Sequence, residues 1–491
     1  MKPGRLVPRR GPKLNRRESA QAPRGLPALL LCLALGGCAH RAAAPELAIG
    51  TPPVAAVWHT AAPTAPATSN AADAPDVWAR FGDDALPGLI AAAQSVSPTL
   101  ASAGARMERA RATRSAAAAA LWPQLNAVGA AAQSRSAPGQ PSAASLSLDG
   151  QAAWEIDLFG AAAAGRSAAQ AQLADTRTAV AAEVATSLTA LRACEAQRIT
   201  SQQDADSRIE TARLTELSAR AGFTAPADAA LVRAGAAQSR VLAAQQRASC
   251  DVLVKSLVEL TDLPEPELRQ RLAPATAQVP QGPVAAVSMP RLPAELLARR
   301  PDLFEAARAV EAAASDLGQS QAKELPQLSL SGSIGGLTLS SAGETRSGAT
   351  WSIGPLVVSF PLFDGGARQA NTAAARAAYD DAVAQYRGQV RRAVREVETG
   401  LVALQSTAER SEDARRAAVD FAASLRATEA RQKGGLASLF DLENARRNTV
   451  AAQSALIELQ RERASAWIAL YRALGGGWSE ASFEPPVKPQ P

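Results

Sequence analysis

The sequence predicts an α+β membrane protein that is built as a tandem internal duplication. Long segments rich in Ala, Leu, Gln, Arg and Glu favour helices that pack closely. Two stretches of about 40 residues, rich in Gly and Ser and weakly alternating, interrupt these helices and favour strands. The same order of helical, strand-like and turn signals occurs twice, offset by roughly 200 residues.

The N-terminal segment has the composition of a secretory signal. Residues 1–37 hold eight Lys or Arg against one acid, Glu18, and residues 26–35 form an apolar run too short to span a bilayer. Removing this segment leaves 44 of the 52 basic and 45 of the 46 acidic residues, a net charge of −1. We therefore predict export of the chain and no nucleic-acid partner.

The apolar run ends in the sequence LGGC at residues 35–38, which resembles a bacterial lipobox. This pattern predicts lipidation of Cys38 and cleavage before it; the alternative is an ordinary signal peptide with a chance cysteine. Ala39 follows, where an aspartate is typical of retention at the inner membrane, so the outer membrane is expected. Residues 38–75 are predicted to be a lipidated tether, because from residue 41 they are Ala/Pro/Thr-rich without periodicity.

The duplication divides the remaining chain into a first repeat, 76–285, a second repeat, 286–478, and a tail, 479–491. WPQL at 122–125 corresponds to LPQL at 325–328, and each is followed by a strand-like stretch, a long helix, a Gly-containing turn and a returning helix. Residues 86–121 and 227–262 are helical segments of similar length. Each repeat is thus predicted to contain a helix, a β-hairpin and a long helical hairpin.

The strand-like stretches, 122–160 and 325–365, can each hold two strands of about ten residues, the length of a tilted transmembrane β-strand. Aromatic residues near their ends suit a membrane girdle, although soluble sheets also carry them there: Trp122, Trp154, Phe159, Trp351, Phe360 and Phe363. Four strands cannot close a barrel, and open edges are not tolerated in lipid. Oligomerisation is therefore expected.

The long helices carry coiled-coil spacing. The apolar seams run through Leu173, Val180, Val184, Leu188 and Leu191, and through Val383, Val390, Val394, Val397, Leu401 and Leu404. The helix predicted over 160–221 would be about 90 Å long, more than a compact domain accommodates. A soluble helical bundle would use the same kind of seam.

Nothing in the sequence suggests an enzyme. The two histidines, His40 and His59, both lie in the leader-proximal segment, so neither a Ser-His-Asp triad nor a His-based zinc site is expected. The chain also lacks a Gly-rich phosphate loop, CxxC and GxSxG. We predict no catalytic residues, no metal and no cofactor.

With these features the chain resembles the TolC-like outer-membrane efflux factors, specifically the lipoprotein branch that serves RND pumps. The resemblance covers roughly residues 78–478 and rests mainly on WEIDLFG at 154–160, RRPDL at 299–303, PLFDGG at 361–366 and ALGGGW at 473–478. It implies a homotrimer whose twelve strands form one outer-membrane β-barrel, continued into the periplasm by a twelve-helix coiled-coil barrel. It further implies a passive exit duct that receives small molecules from an inner-membrane RND transporter through a periplasmic adaptor protein.

The resemblance also implies site residues. The periplasmic tips that contact the adaptor match Gly222, Phe223 and Thr224 in the first turn and Gly434, Gly435 and Leu436 in the second. The family's gate aspartate matches Asn444, which puts the usual carboxylate ring in doubt. Asp441, Asn444 and Arg447 are the gate candidates, with solvated surface positions as the alternative.

Two functional alternatives stay open. The outer component of a type I protein secretion system would share the architecture, whereas a periplasmic helical adaptor or scaffold would lack lipid-facing strands.

Cys194 and Cys250 are equidistant in sequence from Gly222, so in an antiparallel hairpin they lie at the same height along the two helices. We predict a disulfide between them in the oxidising periplasm, with two buried thiols as the alternative.

Overall fold

The computed structural model describes residues 58–60, 77–120, 124–135, 139, 141–154, 161–273, 278–280, 282, 299–360 and 362–478. The predicted signal peptide, Cys38, most of the tether and the tail at 479–491 lie outside these residues. Trp122 and Phe159, two of the expected girdle aromatics, also lie outside them.

Eight α-helices and four strands follow one another along the described residues, after a short 3-10 helix at Ala79–Phe81. The helices are α1 (Leu86–Val96), α2 (Pro98–Ala120), α3 (Ala161–Arg220), α4 (Pro226–Thr261), α5 (Glu265–Leu272), α6 (Pro301–Ala322), α7 (Ala367–Lys433) and α8 (Leu439–Ala473). The strands are β1 (Gln124–Ser134), β2 (Ala143–Trp154), β3 (Gln327–Ser341) and β4 (Glu344–Ser359). The order helix, two strands, long helix, returning helix occurs twice, as α2-β1-β2-α3-α4 and α6-β3-β4-α7-α8.

The helical segment expected over 86–121 is two helices, because it breaks at Ser97 and Pro98. Proline lacks the N–H that an inner helical turn requires and disfavours helical backbone in the residue before it. Ser97 accordingly has φ −59° and ψ 117°, and its hydroxyl accepts a hydrogen bond from Leu100 N at 3.3 Å. The single helix was therefore a wrong expectation at this position.

The four strands form one antiparallel sheet in the order β1-β2-β3-β4. The central pairing, β2 with β3, joins the two repeats. The edge strands, β1 and β4, each have one side without a partner strand among the described residues.

The two long helices organise the helical layer. Helices α3 and α7 contain 60 and 67 residues, so at about 1.5 Å per residue they are roughly 90 and 100 Å long. Helices α2 and α4 pack against α3, while α6 and α8 each pack against both α3 and α7. The shorter helices thus stack in pairs alongside the long ones, with α2 and α4 flanking α3.

The predicted apolar seam of α3 is the buried core of this layer. Leu173, Val180, Val184, Leu188 and Leu191 are all buried. On α7, Val390, Val397, Leu401 and Leu404 are buried, and Val383 and Val394 are half-buried. An aromatic cluster of Trp78, Phe81, Trp467 and Tyr471 closes the core near the end of α8.

Candidate transport pathway

The sheet has one strongly apolar face. Successive strand residues point to opposite faces, and directly paired residues share a face. The large side chains on the first face are exposed by 61 to 85% and are Leu125, Leu146, Leu148, Ile334, Trp351 and Ile353. Trp351 lies in the middle of β4, opposite Ile334, and not near a strand end as the girdle interpretation expected.

The opposite face of the sheet carries mostly small and polar side chains, together with four apolar ones that are exposed by only 36 to 43%, namely Val128, Leu337, Leu339 and Val357. It includes Asn126, Ser145, Ser147, Asp149, Gln151, Ser333, Thr350 and Ser352. The hydroxyls of Ser333 and Ser352 lie 2.8 Å apart across the β3–β4 pairing. A sheet with one apolar and one polar face suits a wall between hydrocarbon and water.

Within the described residues, no helix combines the length and the apolar character needed to cross a bilayer. Among those same residues, no three His, Cys, Asp or Glu side chains are grouped so that they could hold a metal ion.

The turns that end the two long helices use the same backbone geometry. Gly222, with φ +80°, follows α3, and Phe223 N donates to Ser218 O at 2.9 Å. Gly435, with φ +74°, follows α7, and Leu436 N donates to Arg431 O at 2.8 Å. Because side chains rarely adopt positive φ, glycine suits both positions.

The residues after these glycines are presented to solvent. Phe223 is 86% exposed and Leu436 is 74% exposed. The Thr224 hydroxyl lies 2.7 Å from that of Ser218, which ties the first turn back to α3, and Gly434 precedes the second turn with φ −84°. Each turn thus projects one large apolar side chain at the end of its hairpin.

The gate candidates lie on the first turns of α8. Ser438 and Asp441 form a capping box, in which Asp441 N donates to Ser438 Oγ at 3.1 Å and Ser438 N donates to Asp441 Oδ2 at 3.0 Å. The hydroxyl of Ser438 also donates to this carboxylate and lowers the pKa of Asp441. Asn444 is half-buried and Arg447 is exposed.

The structure reveals a buried charge network that the sequence analysis missed. Arg446, only 6% exposed, donates from Nη1 to Thr211 Oγ1 on α3 at 2.7 Å and to Glu443 Oε1 at 3.1 Å. Its Nη2 lies 3.8 Å from Glu429 Oε1 on α7, and Arg208 of α3 pairs with Glu443. These contacts, which we call the Arg446 bridge, join α3, α7 and α8. A sequence signal existed, because Leu442, Arg446 and Thr449 occupy the buried side of α8 at helical spacing.

Cys194 of α3 and Cys250 of α4 are bonded through their Sγ atoms in the structure, with Cα atoms 5.6 Å apart. Both side chains are buried. The Gln246 side-chain amide donates to Cys194 O at 3.3 Å beside the bond. The two helices of the first hairpin are therefore tied together far from their turn.

Comparison with known proteins identifies the class of this molecule. Residues 89–261 and 292–476 match the family model described as outer membrane efflux protein. The chain belongs to this family. The two matched segments correspond to the two repeats, so the duplication is within the part of the chain that defines the family.

Individual relatives agree with this assignment. An outer membrane efflux protein of Pseudomonas putida, the probable efflux pump protein TtgC, is 29% identical over 474 residues, covering 91% of this chain and 94% of TtgC. Outer membrane protein OprJ of Pseudomonas aeruginosa is 36% identical over 193 residues, which cover 39% of this chain and 40% of OprJ. The solved structure of the outer-membrane channel OprN is 26% identical, with a TM-score of 0.72, and covers 87% of this chain and 98% of OprN.

Membership of the outer membrane efflux protein family places the chain in the outer membrane and makes it a transport protein and not a member of an enzyme family. The alternative of a periplasmic adaptor or scaffold is wrong. The predicted mixed helix-and-sheet fold is confirmed by its likeness to solved outer-membrane channels.

Proposed function

We propose that the chain is the passive exit duct of a tripartite efflux pump, and that three copies assemble into one channel. The observation that carries this proposal is the four-stranded sheet with an apolar face, a polar face and two open edges. Three copies arranged head to tail pair β4 of one protomer with β1 of the next, which closes a barrel of twelve strands. Its apolar face contacts lipid and its polar face lines a water-filled lumen.

The helical layer supports the same assembly. Helix α4 exposes Leu231, Val241, Leu242 and Val252, and α7 exposes Val402, Val419 and Phe421. The four helices pack side by side in the order α4, α3, α8, α7, so these apolar side chains lie on the two outer helices, α4 and α7. Contact between α7 of one protomer and α4 of the next would bury them and close a ring of twelve helices around the lumen.

The proposed partners of the channel rest on its membership of the family. Relatives such as TtgC are named as outer membrane proteins of efflux pumps. By analogy, the chain passes small molecules that an inner-membrane RND transporter delivers, with a periplasmic adaptor contacting the tips at Gly222, Phe223, Thr224, Gly434, Gly435 and Leu436. The exposed Phe223 and Leu436 offer that adaptor an apolar contact on each turn.

The closed periplasmic end is held at two levels in this proposal. The Arg446 bridge fastens the first hairpin to the second inside one protomer, while Asp441 and Asn444 lie nearer the mouth and Arg447 follows Arg446 directly on α8. Removing the buried Arg446 leaves the carboxylates of Glu443 and Glu429 without their shared cation. The Arg208–Glu443 ion pair still joins α3 to α8, so the contact between the hairpins is weakened and not abolished.

Reconstitution of the purified protein in planar bilayers tests the proposal. We expect a trimer by native mass spectrometry and small single-channel conductance, which Arg446→Ala and Thr211→Val both increase. The double variant Asp441→Ala with Arg447→Ala should also increase it if these gate candidates contribute. Arg410→Ala is the matched control, since the exposed Arg410–Glu462 pair also links α7 and α8. A monomer without channel activity contradicts the duct, and unchanged conductance in every variant contradicts the gate.

A further inference from the structure

We propose that Asp149 sets the charge preference of the channel, so that cationic and zwitterionic solutes pass the barrel more readily than anionic ones. The inference rests on the proposed duct, because it requires the polar face of the sheet to line the lumen. It concerns selectivity within the barrel and is independent of the Arg446 bridge.

Asp149 is the one charged residue in the interior of the four described strands. Strands β1 and β3 contain no charged side chain, and β2 contains only Asp149. The two charged residues of β4, Glu344 and Arg346, lie beside the β3–β4 turn and pair with each other at 3.2 Å. A carboxylate in the middle of such a sheet is unexpected unless it faces water.

The strand register places Asp149 on the polar face. It is paired with Val128 of β1 and Gly335 of β3, and its neighbours on the same face of β2 are Ser147 and Gln151. Leu148, the residue before it on β2, points to the apolar face and is 68% exposed. A one-residue slip would therefore put the carboxylate in lipid, where charge is costly.

The neighbouring strand leaves space for this carboxylate. A Cβ atom added to Gly335 would lie 2.2 Å from Asp149 Oδ1 and 2.4 Å from Leu148 O, closer than any side chain could approach. Glycine at position 335 thus permits Asp149 to lie across β3. Within the described part of the chain, no hydrogen bond or ion pair occupies the carboxylate, which leaves it available to solutes.

Threefold symmetry turns one carboxylate into a ring of three at a single height in the lumen. Rings of acidic side chains attract cations and repel anions in water-filled pores. The negative electrostatic potential near the ring lowers the energy of a passing cation and raises that of a passing anion. By charge alone, the barrel therefore favours cationic solutes over anionic ones.

The rate at which charged reagents modify a cysteine in the lumen measures that potential. The reagents enter the barrel from outside the cell, so the rate does not depend on the gate at the periplasmic end. Ser147→Cys places a thiol on the polar face two residues from Asp149, about 7 Å along the strand. The thiol is treated in whole cells with two membrane-impermeant methanethiosulfonates, one bearing trimethylammonium and one bearing sulfonate. The rates are compared between Ser147→Cys and Ser147→Cys with Asp149→Asn. Controls are the parent chain without an added thiol, Asp149→Glu, and Leu148→Cys on the apolar face.

We expect Asp149→Asn to slow the cationic reagent and accelerate the anionic one, each about two- to threefold at low ionic strength, with the effect shrinking in high salt. Asp149→Glu should keep the wild-type rate ratio. A rate ratio that Asp149→Asn leaves unchanged overturns the role of Asp149 while the duct stands. Reaction at Leu148→Cys but not at Ser147→Cys overturns the assignment of the lumen face, and with it the proposed duct.

Discussion

At the scale of single residues, two buried arginines besides Arg446 join elements of the helical layer. Arg192 is 1% exposed and donates to Asp83 Oδ2 at 2.7 Å and to Leu272 O at 3.0 Å, which joins α3 to the segment before α1 and to α5. Arg300 donates to Asp302, to Glu396 of α7 and to Ala473 O at 2.8 Å. The RRPDL motif is therefore a junction between α6, α7 and the end of α8.

Glu305, two residues after that motif, carries an unfavourable charge. Burial, followed by repulsion from Asp175 and Asp302, raises its pKa to about 6, although Arg106 acts in the opposite direction. The native state therefore binds more protons at this site than the unfolded chain between about pH 4.5 and 6, so its contribution to stability falls as pH rises through this window.

We expect Glu305→Gln to increase the free energy of unfolding by about 1 to 2 kcal/mol above pH 7. The gain should vanish below about pH 4.5, where the native carboxyl is already neutral. Guanidinium denaturation across this pH range measures it, with the exposed Glu183→Gln on α3 as the control. A gain of equal size at pH 4 and pH 8 contradicts the electrostatic explanation.

At the scale of elements, the two helical hairpins differ in one covalent link. The positions of the second hairpin that correspond to Cys194 and Cys250 are Thr407 and Arg463, so only α3 and α4 are joined by a disulfide. Thr407 is buried and donates to Leu404 O at 3.0 Å, which satisfies its hydroxyl within α7. The first hairpin is thus stiffened independently of the second.

We predict that non-reducing peptide mapping of the exported protein recovers Cys194 and Cys250 in one disulfide-linked pair of peptides. Closing a loop with a sequence separation of 56 residues stabilises the fold by about 4 kcal/mol in the chain-entropy model. Cys250→Ser should therefore lower the melting temperature, and reduction should lower it only in the parent protein. Alkylation of both cysteines without prior reduction contradicts the bond.

At the scale of the whole molecule, the barrel and the lipid anchor are separate means of membrane attachment. In the proposed trimer, twelve strands hold the channel in the bilayer whether or not the N-terminus is acylated. The tether contacts the helical layer at Glu398 of α7, where His59 N donates to Oε1 at 2.8 Å and Thr60 N donates to Oε2 at 3.2 Å.

We predict that Cys38 carries the lipid. Cys38→Ser should abolish metabolic labelling with palmitate, while Cys32→Ser, six residues earlier in the same leader, should not. Both variants should still form trimers, because assembly depends on the strands and helices. Labelling that survives in Cys38→Ser, or a native N-terminus without modification, contradicts the lipobox interpretation.

Much of the architecture could be predicted from local sequence patterns. Apolar spacing along α3 identified Leu173 to Leu191 as a buried seam, and Gly222 and Gly435 marked the turns, because each signal depends on residues close together in the chain. The height of Cys194 relative to Cys250 followed from their equal distances to a turn. The break at Ser97 was not predicted, although Pro98 is a local signal for it, because proline disfavours helical backbone in the residue before it.

Only the tertiary structure decided which residues meet across elements. The strand register alone places Asp149 on the polar face and opposite Gly335, since a shift of one residue would exchange the two faces without altering the strand-like pattern. Arg446 reaches Thr211 only because α3 and α8 pack at a particular height, and residues 235 positions apart carry no local signal of that alignment. Sequence patterns therefore determined the order and type of the elements, whereas their bounds and the pairing between them, and with these the candidate selectivity and gate residues, came from the tertiary structure, because register and packing are non-local.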